Sequence, residues 1–246
     1  MNREKYIAIG DIHGRIHSLR TMMDHLIAEH SDSNLVFLGD YVDKGEFSAD
    51  VIDLIMDIKE SNIFNNVITL CGNHEHLFLA SIANPESRLA EHWARNLGGY
   101  NTLFSYGWDF DMGYDFSMIP EKHVDFIRQM SFYHKDKDIF FCHAGINPNR
   151  KLSKQKKEDL IWIRDKFLKS TKRHKRLIVH GHTQLKGEFP KVNKYNRLNL
   201  DVGAAKQENI AAAILKDDLK LPEIIISRKN ILEFTNKYDV NSIPKF

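Results

Sequence analysis

Five short polar clusters hold the side chains of this chain that could do chemistry. They are Gly10-Asp11-Ile12-His13-Gly14, Gly39-Asp40-Tyr41-Val42-Asp43-Lys44-Gly45, Gly72-Asn73-His74-Glu75, His143-Ala144-Gly145 and His180-Gly181-His182-Thr183. Asp and Asn supply oxygen ligands, His supplies nitrogen, and no thiolate lies inside the clusters. Mixed oxygen and nitrogen donors favour Mn, Fe or Zn over Ca or an all-sulfur zinc site. Asp11 and His13, one residue apart on an extended segment, can converge on one ion. Asp40 has two oxygens and can bridge that ion to a second, which leaves Asn73, His143 and His182 for the second ion. Two divalent ions against two carboxylates leave a site of about +2, a charge that suits a phosphate ester and a hydroxide. Taken singly, each cluster also reads as a capped turn, a loop or a satisfied core histidine. Five together at corresponding places do not.

Those places are the ends of short apolar runs: Tyr6–Ile9, Leu35–Leu38, Val67–Leu70, Ile139–Cys142 and Leu177–Val179. Three further runs follow at Leu198–Val202, Ile210–Leu215 and Ile224–Ile226. Their short lengths and their content of Ile, Val and Phe predict strands, several buried on both faces. Between the first three runs, Ile16, Leu19, Met22, Met23, Leu26 and Ile27 keep helical spacing, as do Val51, Ile52, Leu54, Ile55 and Ile58. The opening therefore reads β-α-β-α-β, an α/β fold, and in such sheets ligands bind at the carboxyl ends of the strands. Residues 84–130 read as an irregular helical insertion over the rim of the sheet. Residues 216–246 read as a C-terminal extension with one more strand, so the whole chain, 1–246, is expected to form a single domain.

The 246 residues carry a net charge of +2, with 42% hydrophobic and 28% charged residues, a globular balance. No apolar run approaches the ~20 residues of a membrane helix, and the opening residues do not read as a signal peptide. Cys71 and Cys142 are too few for a disulfide framework and read as small buried strand residues, consistent with a cytoplasmic location. Residues 149–176 hold twelve Lys and Arg against Glu158, Asp159 and Asp165, so this stretch is +9 and the rest of the chain −7. It reads either as a solvated face or as a field for anionic substrates. With only Trp162 and Phe167 as interleaved aromatics, it argues weakly for nucleic acid. Of the 13 histidines, five lie in the clusters, and the other eight, from His17 to His174, are read as surface or helix residues.

In this order and spacing, the clusters GDIHG, GDYVDKG, GNHE, HAG and HGHT resemble those of the phosphoprotein phosphatase family of metallophosphoesterases, in particular its compact bacterial and phage members. The resemblance covers roughly residues 5–215. It implies a calcineurin-like metallophosphoesterase fold, a central β-sandwich flanked by helices, with a two-metal centre, commonly Mn. It further implies that Asp11, His13 and Asp40 bind the first ion and Asp40, Asn73, His143 and His182 the second. His74 matches the catalytic acid and Asp43 the carboxylate that orients it. Arg164, in Leu160-Ile161-Trp162-Ile163-Arg164, is similar to an arginine that grips the substrate phosphate. Where the family usually has a second arginine this chain has Lys44, a mobile point charge instead of a fixed fork. In HGHT, the resemblance favours His182 as ligand over His180.

The activity implied is hydrolysis of a phosphomonoester, most directly on phosphorylated serine or threonine of a protein and extending to tyrosine. A hydroxide bridging the two metals would attack phosphorus in line, and His74 would protonate the leaving alkoxide. A diadenosine-polyphosphate hydrolase shares the same motifs and is the alternative. Cysteine-dependent phosphatase chemistry fails, because Cys-x5-Arg would need Arg where Leu77 and Pro148 stand. No phosphate-binding GxxxxGK[ST] loop occurs either.

Overall fold

Alternating side chains along the first strand set the layering of the protein. The computed structural model describes residues 4–113, 115–216, 219–229 and 231–234. In β1 (Tyr6–Ile9), Tyr6 and Ala8 face one apolar layer and Ile7 and Ile9 the other, as the two-residue period of a strand requires. β2 (Asn34–Phe37) and β3 (Asn66–Thr69) run parallel to β1. The crossovers are α1 (Ile16–His30) and α2 (Ser48–Glu60), whose buried Leu19, Met22, Leu26, Val51, Ile52 and Ile55 cover the Ile7 face. α3 (Asn73–Ala83) follows β3 directly.

The segment expected as an insertion forms α4 (Arg88–Asn96), α5 (Gly99–Ser105) and α6 (Glu121–Arg128). These helices pack against α2 and α3 and share their apolar core through Trp93, Leu103, Val124 and Ile127, so the segment thickens the helical layer rather than capping a rim. A second sheet begins with β4 (Tyr133–Lys135), a strand too short and polar for the sequence to reveal, and β5 (Ile139–Cys142). α7 (Lys157–Trp162) and α8 (Asp165–Leu168) lead to β6 (Leu177–His180) and β7 (Arg197–Asn199), where the expected run over 198–202 pairs only in its first two residues. After α9 (Ala204–Gln207), β8 (Asn209–Leu215) returns antiparallel to β1. β9 (Glu223–Arg228) and β10 (Ile231–Phe234) extend that sheet, two strands in place of the one expected from the extension.

Among the described residues the sheets run β10-β9-β8-β1-β2-β3 and β4-β5-β6-β7. Val36, Leu70, Phe141, Val179, Leu198 and Ala213 fill the layer between them, and Phe140, Cys142 and Ile178 face outward onto α7 and α8. The result is an α/β sandwich of two mixed sheets with helices outside both. The parallel strands β1, β2, β3, β5 and β6 all end on the polar clusters. No helix among the described residues is long and apolar enough to cross a membrane.

Candidate metal centre

Three of the loops at the strand ends hold their histidine or aspartate in the left-handed backbone region: His13 at φ 48°, Asp40 at 55° and His182 at 67°. Asp43 and Lys44, both at 70°, make five such residues at one place, out of nine non-glycine cases among the described residues. That conformation is disfavoured for side chains with a Cβ and persists where the surroundings enforce it. Here the enforcement is hydrogen bonding and close packing. Both His13 and Ile12 donate their N–H to the Asp40 carbonyl. A Cβ on Gly72 would run into the Asp40 side chain, and one on Gly181 into the Asp11 carboxylate.

Asp40, 2% exposed, lies in the middle. One carboxylate oxygen is 3.2 Å from His143 Nε2 and accepts the His74 backbone N–H at 3.1 Å. The other is 3.6 Å from His13 Nε2 and 4.0 Å from His74 Nε2. Two groups result in which the potential ligand atoms all lie within 4.8 Å of one another: His13, Asp40 and His74, and Asp40, His143 and His182. Asp40 is common to both. Asn73 Oδ1 joins the second group at 3.1 Å from His143 Nε2. Asp11 belongs to neither group. Its carboxylate accepts the His182 backbone N–H at 3.1 and 3.2 Å, which fixes the strained His182 turn.

The ring nitrogens are assigned by their backbone partners. Nδ1 of His13 is 2.9 Å from the Val42 carbonyl and Nδ1 of His143 is 3.1 Å from the Leu38 carbonyl, so each Nδ1 carries a proton and each Nε2 is the atom turned toward the centre. His182 Nε2 is buried with no hydrogen-bond partner. The carboxylates show the complementary imbalance. Burial, with Asp201 and Asp40 nearby, pushes Asp11 well above the usual range. Burial also disfavours charge on Asp40, but His143, His74 and His13 outweigh it and hold this carboxyl well below the usual range. Burial lifts Asp201 to about 6, and it lowers His13 to about 4 and His182 to about 3, the latter with help from His143. Buried carboxylates that cannot all carry charge, beside the neutral imidazoles of His13 and His182, fit divalent cations.

His74 differs from the other four. Its Nδ1–H donates to Asp43 Oδ2 at 2.6 Å. Burial disfavours its charge, yet Asp40 and the bond to Asp43 outweigh burial and raise it to about 9. Lys44, next to Asp43, is half-buried, and burial lowers it. Arg164 is exposed, and its charge acts on His182 and Asp201. His180 turns away from the cluster, with its ring edge-on to Phe167 at 5.1 Å. Of the eight histidines read as surface or helix residues, His174 corrects that reading: it is buried in a loop against Phe167, because Arg197 pins the surrounding carbonyls.

Three side chains at the site escape the sequence reading. Glu75, fully buried, accepts the backbone N–H groups of Asp40, Tyr41, Val42 and Gly72 at 2.8, 2.7, 3.2 and 2.8 Å. One carboxylate thus ties the β2 loop to the start of α3. A glutamate three residues after Gly72 at a helix start is the capping-box position, a signal that was available. Trp93 and Thr102 bond to Asp43 from α4 and α5, and nothing local in the sequence announces them.

Residues 5–210 match the family model described as calcineurin-like phosphoesterase. The chain belongs to the calcineurin-like phosphoesterase family. Within it, 156 residues are 31% identical to Shewanella-like protein phosphatase 1 of Plasmodium berghei, covering 58% of this chain and 39% of that one. A 70-residue stretch is 41% identical to the serine/threonine-protein phosphatase SIT4 of Candida albicans, covering 27% of this chain and 22% of that protein. The chain thus spans well under half the length of these curated relatives. Among solved structures, a putative diadenosine tetraphosphatase superposes with a TM-score of 0.64 at 17% identity, over 91% of this chain and 94% of that one, and so shares the fold.

Proposed function

We propose that this calcineurin-like phosphoesterase is a metal-dependent phosphomonoester hydrolase acting on phosphorylated serine or threonine of proteins, with tyrosine as a further substrate. The observation that carries this reading is the pair of ligand groups sharing Asp40, the first of which includes His74, whose other ring nitrogen is held by Asp43. Asp11, His13 and Asp40 are assigned to one ion, and Asp40, Asn73, His143 and His182 to the other. Manganese suits this donor set, with iron or zinc as substitutes. When bound, the ions supply positive charge for the phosphate oxygens and lower the pKa of a water so that it can act as nucleophile near neutral pH.

The chain's own residues do the rest. Lys44, beside Asp43, and Arg164, whose charge reaches His182, hold the substrate phosphate and offset charge that develops on its oxygens. His74, with Nδ1–H on Asp43, keeps Nε2 toward the centre, where it delivers a proton to the leaving oxygen. We read residues 1–246 as one domain working in the cytoplasm. The phosphatase relatives support a phosphoprotein substrate, and the fold neighbour named as a putative diadenosine tetraphosphatase supports the alternative, a diadenosine-polyphosphate hydrolase.

Steady-state hydrolysis of a phosphoserine peptide and of diadenosine tetraphosphate, both with Mn, separates the two. A higher kcat/KM on the peptide is the expected result. A higher value on the dinucleotide would transfer the assignment to the alternative.

A further inference from the structure

Asp43 is fully buried, so each carboxylate oxygen needs a partner, and the partners it has come from three different elements. Oδ2 accepts His74 Nδ1–H from α3 at 2.6 Å and the Trp93 indole N–H from α4 at 2.8 Å. Oδ1 accepts the Thr102 hydroxyl from α5 at 2.7 Å. The same hydroxyl oxygen accepts the Asp43 backbone N–H at 2.8 Å. A hydroxyl has one proton, and that of Thr102 is given to Asp43, so in the Ser48–Thr102 contact at 3.1 Å the donor is Ser48. Side chain and backbone of Asp43 are thereby both gripped by the helical segment 84–130.

That grip is built into the packing. Trp93 is fully buried and meets Phe78 of α3, one turn beyond His74, edge-on at 5.9 Å. The start of α5 lies directly on the indole: a Cβ on Gly99 would come within 2.5 Å of two Trp93 ring atoms, so glycine is the residue that permits the approach. Tyr100, two residues before Thr102, stacks on Trp108 at 5.6 Å and fixes the helix from its outer side. The turn between α4 and α5 and the start of α5 also hold Lys44, since the Lys44 N–H donates to the Gly98 carbonyl at 3.4 Å and Asn101 Nδ2 donates to the Lys44 carbonyl.

We propose that Trp93 and Thr102 are positioning residues, which pin both oxygens of the Asp43 carboxylate and so aim the His74 ring at the leaving oxygen. Asp43 alone could rotate about its carboxyl axis and share His74 between two geometries. With a donor on each oxygen it has one. This inference rests on the acid role assigned to His74 above, and it assigns to the helical segment a part in proton delivery that neither Trp93 nor Thr102 performs by touching substrate. No bond is made or broken at these residues: each keeps its proton in a hydrogen bond throughout.

The variants Trp93→Phe and Thr102→Val remove one donor each, the second at nearly constant shape and the first with a smaller ring, and Thr102→Ser restores the hydroxyl. Two readouts apply. The first is kcat on phenyl phosphate and on p-nitrophenyl phosphate in the Mn-loaded enzyme. Each donor-lacking variant is expected to lose about tenfold more kcat on phenyl phosphate, whose leaving group needs the proton, with KM little changed and Thr102→Ser near wild type. The second is the low-field Nδ1–H proton resonance of His74 in the metal-free protein, identified by its loss in His74→Asn, which is expected to shift in both variants. Equal losses on the two substrates, or an unmoved resonance in a variant that melts like wild type, would overturn the proposal. If one variant fails to fold, the other decides. A wild-type enzyme inert on both substrates would overturn the function proposed above, and the resonance would still decide this inference.

Discussion

The two halves of the site are held in place by different means. On the metal side, Asp11, His13, Asp40, His143 and His182 stand on loops that leave parallel strands at once, with backbone strain at three of them and ring nitrogens tied to main-chain carbonyls. On the acid side, Asp43 shares the strained backbone of its loop at φ 70°, but its carboxylate, and through it His74, is fixed by side chains from helices distant in sequence. The first arrangement allows little adjustment, because moving a ligand means moving a strand. The second can be altered by replacing one helix side chain, which makes it the half where related enzymes could differ without losing their ions.

The sharpest break between the halves is Asp40→Asn, which removes charge from the residue common to both ligand groups. It is expected to abolish metal binding and reduce hydrolysis to background, as metal analysis and p-nitrophenyl phosphate turnover will show. His74→Asn should instead keep its metal while losing about 10²–10⁴-fold in kcat on phenyl phosphate, with a smaller loss on p-nitrophenyl phosphate. Metal loss in that variant would erase the distinction drawn here.

Glu75→Gln tests the joint between the halves, since four N–H donors converge on that carboxylate. An amide offers one acceptor oxygen and turns its own donors on the rest, so a loss of about 3 kcal/mol is expected in denaturant midpoints. Lys44→Ala should raise KM about tenfold, and Lys44→Arg should recover it through a bidentate grip. An unchanged kcat/KM in Lys44→Ala would show that Lys44 does not touch the phosphate.

The smallest effect is on pH stability of the metal-free protein. Burial holds His13 and His180 at about 4 and His182 at about 3, below the ordinary 6.5, so between these values the unfolded chain binds protons that the folded chain refuses. These three histidines therefore contribute stability that is lost as pH falls from 6.5 through about 4, whereas the raised carboxyls of Asp11 and Asp201, the latter at about 6, contribute stability that is lost as pH rises. His74, raised to about 9, works in the same direction as these carboxyls: its contribution is full below 6.5 and is lost as pH rises through 9. His74→Asn should reduce the decline between pH 6.5 and 9, as melting across pH will show.

The unequal legibility of the sequence follows from the same contrast. Each metal-side residue sits within a few positions of an apolar strand that announces itself by composition, so Asp11, Asp40 and His143 could be read together with the strands that carry them. Glu75 was readable in principle from its place at a helix start. Trp93 and Thr102 were not, because their partner Asp43 lies 50 and 59 residues away and the link depends on how α4 and α5 fold back. β4 and β10 were missed for a related reason: strands of three and four residues at sheet edges, half exposed, carry too little pattern to register.

The central claim is that two ions sharing Asp40 are needed for phosphoester hydrolysis, and metal stoichiometry measured alongside turnover tests it directly. The account predicts two divalent ions per chain, loss of p-nitrophenyl phosphate hydrolysis when a chelator removes them, and recovery when Mn is returned. Hydrolysis that survives complete removal of metal, or full activity with a single ion bound, would contradict it.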